Sequence, residues 1–231
     1  MEYSLHRELK EYYAGPDART EVPLDGFRVD AVLPDRLVEV QHGSLGAIRR
    51  KVARLLQSHH VLVVKPVVVR KVLVQQTRRG GKIRHRRRSP KTGQVLDLFH
   101  DLVHFTEVFP HDRLTLEVPL VEIEEWRYPG HGRRRRWRAN DFEVEDQRLI
   151  AVERTLELRI PQDLADLLNV PFPATFHTGH LAELLAVPRW VAQKIAYCLR
   201  QTGAVETAGK QGNAWLYRLP QPAGKKFKGT Q

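Results

Sequence analysis

Hydrophobic spacing changes period several times along the chain, and each change marks an element. In residues 2–13, EYSLHRELKEYY, the residues Leu5, Leu9 and Tyr12 recur at helical spacing. An amphipathic first helix is expected there, ended by Gly15 and Pro16. Two alternating stretches follow, FRVDAV (27–32) and LVEVQ (37–41), which predict strands joined by a tight connection through Leu33, Pro34, Asp35 and Arg36. His42-Gly43 breaks the second strand. Ser44 is placed to cap a helix over about 45–58, with Leu45, Ile48, Val52, Leu55 and Leu56 as its buried stripe. The run VLVVKPVVVRKVLV (61–74) predicts one or two mostly buried strands, interrupted at Pro66 because proline removes a ladder donor.

A helix is expected over about 95–109, then a strand over 114–126, where LTLEVPLVEIEEW alternates clearly. Pro161, Pro171 and Pro173 place a boundary near 155–172. Beyond it Thr178 is expected to cap a helix containing Leu181, Leu184 and Leu185. A turn at Ala186, Val187 and Pro188 leads to a second helix with Ala192, Ile195, Ala196 and Leu199 on one face, stopped by Gly203. AVETA and AWLYRL then predict a hairpin about Lys210, Gln211, Gly212 and Asn213. Together these elements predict an α/β (α+β) protein. Residues 1–155 form a mixed sheet flanked by helices, 156–220 form a small second domain, and 221–231 form a basic disordered tail.

Charge adds the partner. Lys and Arg number 38 against 27 Asp and Glu, a net charge of +11 that favours a polyanion, since each neutralised phosphate releases counterions. From Arg70 to Lys91 there are ten basic residues and no acid, with Gly80-Gly81 and Ser89-Pro90, which predicts an exposed basic arm or loop. Arg84, Arg86, Arg87 and Arg88 are its candidate contacts to a phosphate backbone. Arg133 to Arg136 with Trp137 either add a second contact or pair with the acids of 141–146. The single cysteine, Cys198, excludes an internal disulfide framework and a thiolate zinc site, and is expected to be a small buried apolar residue. The histidines are scattered, and the His100/His104 pair has no evident third ligand. No apolar run suits export or membrane insertion, so a cytoplasmic location is expected.

Candidate chemistry lies in the first hairpin. Asp30 and Glu39 fall on the polar phase of adjacent strands and converge if the strands pair. Two close carboxylates repel unless a divalent cation compensates them, and Mg²⁺ (or Mn²⁺) suits such oxygen donors while keeping sites for water and phosphate. Asp35, although preceded by proline, is assigned to the turn.

These residues carry a resemblance. Helix, hairpin with Asp30 and then Glu39-Val40-Gln41, amphipathic helix and hydrophobic strand, over residues 2–75, resemble the core of the PD-(D/E)xK nucleases. The resemblance implies a restriction-endonuclease-like fold and metal-dependent phosphodiester hydrolysis, with Asp30 and Glu39 as metal ligands and Glu8 assisting from the first helix. Gln41 stands where the family usually has lysine, an E-x-Q variant known in some members, including competence-associated nucleases, and would orient the hydrolytic water through its amide. Lys51 would then supply the missing charge, with Lys65 as a weaker substitute.

Residues 175–219 resemble a winged helix-turn-helix domain. That implies duplex DNA contacts from Arg189, Gln193, Lys194, Tyr197 and Arg200 on the second helix and from Lys210 on the hairpin, with Trp190 and Trp215 in core or edge packing. The alternatives are a non-catalytic DNA-binding or regulatory protein on a degenerate nuclease scaffold, and an RNA-binding factor using the arginine-rich arm.

Overall fold

A computed structural model describes residues 3–15, 18–130 and 141–220. The 133–138 cluster and the 221–231 tail lie outside the described residues. The chain divides into two compact units, Met1–Arg159 and Ile160–Gln231, so the boundary falls just after the strand that the 155/156 expectation would cut.

The first unit is a mixed sheet flanked by helices. Helix α1 (Ser4–Ala14) buries Leu5, Leu9, Lys10 and Ala14, while Tyr12 turns outward. A side chain of another strand caps its start: Ser4 donates to Asp146 from its backbone nitrogen (2.9 Å) and its hydroxyl (2.8 Å). Strands β1 (Arg19–Leu24), β2 (Phe27–Val32) and β3 (Leu37–Val40) pair antiparallel in succession. Ser44 caps a short 3-10 turn at Leu45–Ala47, and α2 proper runs Arg49–Leu55. The chain returns as β4 (Val61–Val64), parallel to β3, and breaks at Lys65-Pro66 before β5 (Val67–Gln76).

The basic stretch is exposed, but it is not a loop. Ile83–Arg88 forms strand β6, antiparallel to β5 and exposed along its whole length. The expected helix over 95–109 is short: a 3-10 turn at Val95–Leu98 and α3 (Phe99–Leu102), followed by turns. Leu98, Phe99, Leu102, Phe105, Val108 and Phe109 are all buried, so the apolar spacing there marks a packed turn rather than a long helix.

Strand β7 (Leu114–Pro129) organises the sheet. It pairs in parallel with β4 along its first part and β5 along its second, and antiparallel with β8 (Phe142–Leu158). The order is β1-β2-β3-β4-β7-β5-β6, with β8 on β7. Leu5, Leu9 and Ala14 pack with Ala31, Val38, Val40, Leu62, Val64, Val121 and Ile123 to form the core beneath α1.

In the second unit, α4 (Pro161–Asp166) opens with proline, whose missing N–H costs nothing at that position. Helix α5 (Thr178–Leu184) is capped by the His177 ring, which accepts from the Gly179 and His180 amides, and not by Thr178. Helix α6 (Arg189–Thr202) buries Ala192, Ile195, Ala196, Cys198 and Leu199 and ends at Gly203 in the left-handed conformation (φ 81°). Burial pushes the Cys198 thiol up to about 12, so it is an inert core residue. Strands β9 (Glu206–Gln211) and β10 (Ala214–Arg218) form the hairpin, and Phe176 bridges to Tyr217. Among the described residues no helix is long and apolar enough to cross a membrane.

Candidate functional site

Strands β2 and β3 hold register at Ala31↔Val38 and Val32↔Leu37, so Asp30 and Glu39 are the next residues beyond the last pair. There the ladder stops. The Val40 amide, left without a strand partner, donates to Asp30 Oδ2 at 2.8 Å. His6 Nε2 of α1 lies 2.8 Å from the Val40 carbonyl and 3.5 Å from Asp30 Oδ2. Facing two acceptors, that nitrogen carries the proton. The opening between the strands is thus satisfied by one carboxylate and one imidazole, as buried backbone groups demand.

The two acids are held in different states. Burial pushes the Asp30 carboxyl up, but the hydrogen bonds from His6 and Val40 and the charges of His6 and Lys10 outweigh it and hold Asp30 below the usual carboxylate range. Glu39, 2 % exposed, is raised to about 7 by burial, with the Asp30 charge adding to the rise against the pull of Lys51. Lys51 reaches over from α2, its Nζ 2.5 Å from Glu39 Oε1 and also donating to the Arg28 carbonyl. Neighbouring carboxyls pushed apart in this way are the pattern expected of one group that stays ionised and one that exchanges protons.

Other expected residues sit differently. Gln41 Nε2 donates to the Ser44 carbonyl at 2.9 Å, which ties the end of β3 to the loop entering α2. Glu8 is directed elsewhere: its Oε2 accepts the Leu149 amide at 2.6 Å and joins α1 to β8. Residues two apart on a helix point about 200° apart; with His6 on the Asp30 side, Glu8 faces away. Lys65 is a buried tether, donating to the His42 (2.9 Å) and Gly43 (2.7 Å) carbonyls and pairing with Asp101 at 2.9 Å.

Three residues of this neighbourhood escaped the sequence reading. His6 and Lys10 flank the Leu5/Leu9 stripe at i, i+4, a spacing that marks one helix edge. Glu21 stands opposite Asp30 in the β1–β2 register, between the Thr20↔Ala31 and Val22↔Val29 pairs, with φ 56°. It accepts from Lys10 and lies 2.5 Å from Arg28 Nε. A non-glycine residue in that backbone region is uncommon and is held here by its two cations.

The donor set is compatible with a hard divalent cation. Two carboxylates suffice for Mg²⁺, which fills its remaining positions with water and substrate oxygens. Burial is the main cause of the rise of Glu39 and the Asp30 charge a lesser one; a cation beside both carboxyls would oppose it. Among the described residues no group of three or more His, Cys, Asp or Glu is arranged around a common point.

The expected nucleic-acid residues lie on exposed surfaces. Arg84, Arg86, Arg87 and Arg88 line the free edge of β6; Arg86 is pinned to Glu124 at 2.9 and 2.8 Å. In the second unit Arg189, Gln193 and Arg200 are exposed on α6, and Tyr197 is 39 % exposed beside them. Lys194 holds its ammonium 5.3 Å over the Trp190 ring, and Lys210 lies 4.4 Å over Trp215. Both tryptophans are surface residues, 55 % and 47 % exposed, not core.

The family described as a domain of unknown function (DUF8091) matches residues 3–159. The chain belongs to that family. The DUF8091 match ends where the first compact unit ends. An uncharacterized protein of Treponema pallidum (strain Nichols) is 31 % identical over 223 residues, 96 % of this chain and 86 % of that protein. The likeness therefore runs past the DUF8091 domain into the second unit. No solved structure matches the chain.

Proposed function

We propose that this protein is a nucleic-acid-binding phosphodiester hydrolase, a metal-dependent DNA endonuclease of the PD-(D/E)xK kind. The observation that carries the reading is Asp30 and Glu39 together at the end of the β2–β3 ladder, near enough for the Asp30 charge to act on Glu39, with Lys51 of the following helix against Glu39. Helix, hairpin, helix and strand succeed one another as that resemblance requires. In the second unit a helix, a single bridge, two helices and a hairpin support the winged-helix reading, and duplex DNA is its substrate partner. A cytoplasmic setting belongs to the same reading.

Asp30 and Glu39 would hold Mg²⁺ or Mn²⁺, which supplies charge stabilisation at the phosphate and a water of lowered pKa. The chain's own groups do the rest. His6 and the Val40 amide keep Asp30 ionised and aimed. Lys51 offers positive charge to a phosphate oxygen when it leaves Glu39, the task of the motif lysine that Gln41 replaces. Gln41 fixes the loop that carries α2. Glu39, raised to about 7, is matched to proton exchange near neutral pH.

Nicking of supercoiled plasmid with Mg²⁺ or Mn²⁺ tests this. Asp30→Ala and Glu39→Ala are each expected to lower the rate by roughly 10²–10⁴-fold; activity surviving both removes the site. One observation favours a second reading, a non-catalytic nucleic-acid-binding protein: Lys51 already compensates Glu39. In that case duplex binding persists while no divalent ion supports nicking.

A further inference from the structure

The outward face of α6 and the hairpin beside it enclose a cleft lined by side chains that the winged-helix resemblance assigns to duplex DNA. Its volume is about 330 Å³, and Arg189, Gln193, Tyr197 and Arg200 line one wall. Spacings of four, four and three residues put these side chains in a single stripe along the helix. The facing wall carries Asn213 and Trp215 of the hairpin. Among the described residues, no ion pair or hydrogen bond engages the side chains of Arg189 or Arg200.

Three features restrict the ligand. Two uncompensated guanidiniums select an anion, and planar guanidinium forks match phosphate. Trp215 is 47 % exposed with Lys210 over its ring, and Tyr197 is 39 % exposed opposite it. Exposed aromatic faces beside cationic side chains bind the faces of bases. In a duplex those faces are covered by neighbouring base pairs, so only an unstacked base can use them. The cleft stands at the low end of ligand pockets, which run from roughly 300 to 1,000 Å³. A cleft of that size takes a single base or nucleotide.

We propose that this cleft is a binding site for single-stranded nucleic acid, holding an unstacked base against Trp215 and phosphates of the same strand on Arg189 and Arg200. The inference rests on the nucleic-acid partner proposed above and adds which form of it is gripped: a single-stranded end, flap or gap. Arg189 and Arg200 are separated by about 16 Å along the helix axis. That distance exceeds the step between adjacent phosphates, so the two guanidiniums suit separate phosphates of one strand and not the lone phosphate of a free mononucleotide.

The test uses the full chain without divalent ions and compares a fluorescent oligothymidylate, the same strand in duplex, and free thymidine monophosphate as competitor. The single strand is expected to bind at least about 10-fold tighter than the duplex, with the monophosphate competing poorly. Trp215→Ala should weaken single-strand binding by about 5- to 150-fold, the range for one stacked base. Trp215→Phe should recover most of it. Arg189→Ala with Arg200→Ala should reduce the slope of log affinity against log salt by about 1.4, two phosphates' worth for a single strand. Circular dichroism confirms that each variant is folded.

Duplex binding as tight as single-strand binding, or folded Trp215→Ala binding like wild type, overturns the inference. Tight binding of the monophosphate overturns it too, in favour of a free nucleotide. These outcomes are separable from the hydrolase reading. Nicking that depends on Asp30 with no single-strand preference sinks the cleft alone; Trp215-dependent binding with no nicking sinks the hydrolase alone.

Discussion

Two glutamates of the first unit share a residue type, a sheet and an exposure of 2 %, yet their carboxyls are shifted in opposite directions. Glu39 on β3 has one cation, Lys51, and is pushed up to about 7. Glu125 on β7 has Lys71 at 2.5 Å, the Arg127 guanidinium and the Gln147 amide at 2.8 Å. Burial acts upward on Glu125 as well, but those partners outweigh it and hold the carboxyl below its ordinary range. Desolvation is common to both sites; the number of donors decides the sign. Glu125 is a fully compensated anchor joining β5, β7 and β8. Glu39 is left short of positive charge, and strongly perturbed groups of that kind concentrate where chemistry happens.

The largest stability effect should come from the anchor. Glu125→Ala leaves Lys71 and Arg127 without their shared carboxylate in the sheet, and removing one member of a buried pair costs about 3 kcal/mol. The loss is placed at the low end because the two cations are 27 % and 21 % exposed. Urea unfolding at neutral pH measures it. A variant as stable as wild type would show that the donors around Glu125 are incidental and that donor number does not separate the two glutamates.

Glu39 should behave in the opposite sense, and pH exposes it. Below its ordinary value of 4.5 the carboxyl is protonated in both folded and unfolded chains and costs nothing. As pH rises from there through about 7, the unfolded chain has already ionised while the folded chain still holds the proton, so stability is lost. The full loss is on the order of 3 kcal/mol. Glu39→Gln removes the titration, so the stability of wild type relative to this variant should fall across that window. Plasmid nicking should meanwhile be abolished. For Glu125 the linkage has the reverse sign: its contribution is present above the ordinary carboxylate value and vanishes as pH drops through the lowered one. A wild-type curve parallel to that of Glu39→Gln would mean that Lys51 fully compensates Glu39.

Lys51→Met sharpens the same contrast. Without its cation Glu39 rises further, so the loss should be about 2 kcal/mol at pH 8, where the carboxylate must ionise unpaired, and close to nothing at pH 5. Thermal melts at the two pH values check this. Equal losses at both would make Lys51 a packing residue whose ammonium is incidental.

How far the sequence reveals these sites follows from what holds each element together. Strands β2, β3, β4 and β7 and helix α6 bury an apolar face, so their periods are visible. The sequence marks Glu39 as a candidate acid and does not single out Glu125, although Glu125 continues the inward phase of Val121 and Ile123. Strands β1, β6 and β8 were not legible, because β6 is exposed throughout and β1 and β8 are largely polar. Their existence depends on ladders to distant partners, which local propensity does not encode. The donors that set each carboxyl's state come from elsewhere in the chain, such as His6 on Asp30 and Gln147 on Glu125. Residue type marked the candidates, and only tertiary placement distinguished the compensated acid from the uncompensated one.

The smallest expected effect carries the donor-count principle to the surface. Arg84 and Arg86 are neighbours on β6, both exposed, but Arg86 is held by Glu124 through Nε and Nη2. Exposed pairs contribute roughly 0–1 kcal/mol, so neither Arg84→Ala nor Arg86→Ala should move the unfolding midpoint appreciably. Their effects on DNA affinity should differ. If β6 meets a phosphate backbone, Arg84→Ala should lower the slope of log affinity against log salt by about 0.9, one phosphate in duplex DNA. Arg86→Ala should lower it by less, since that guanidinium must first leave Glu124. Equal slopes for the two variants would mean that the Glu124 pair does not withhold Arg86, and compensation would then matter only where burial removes water's screening.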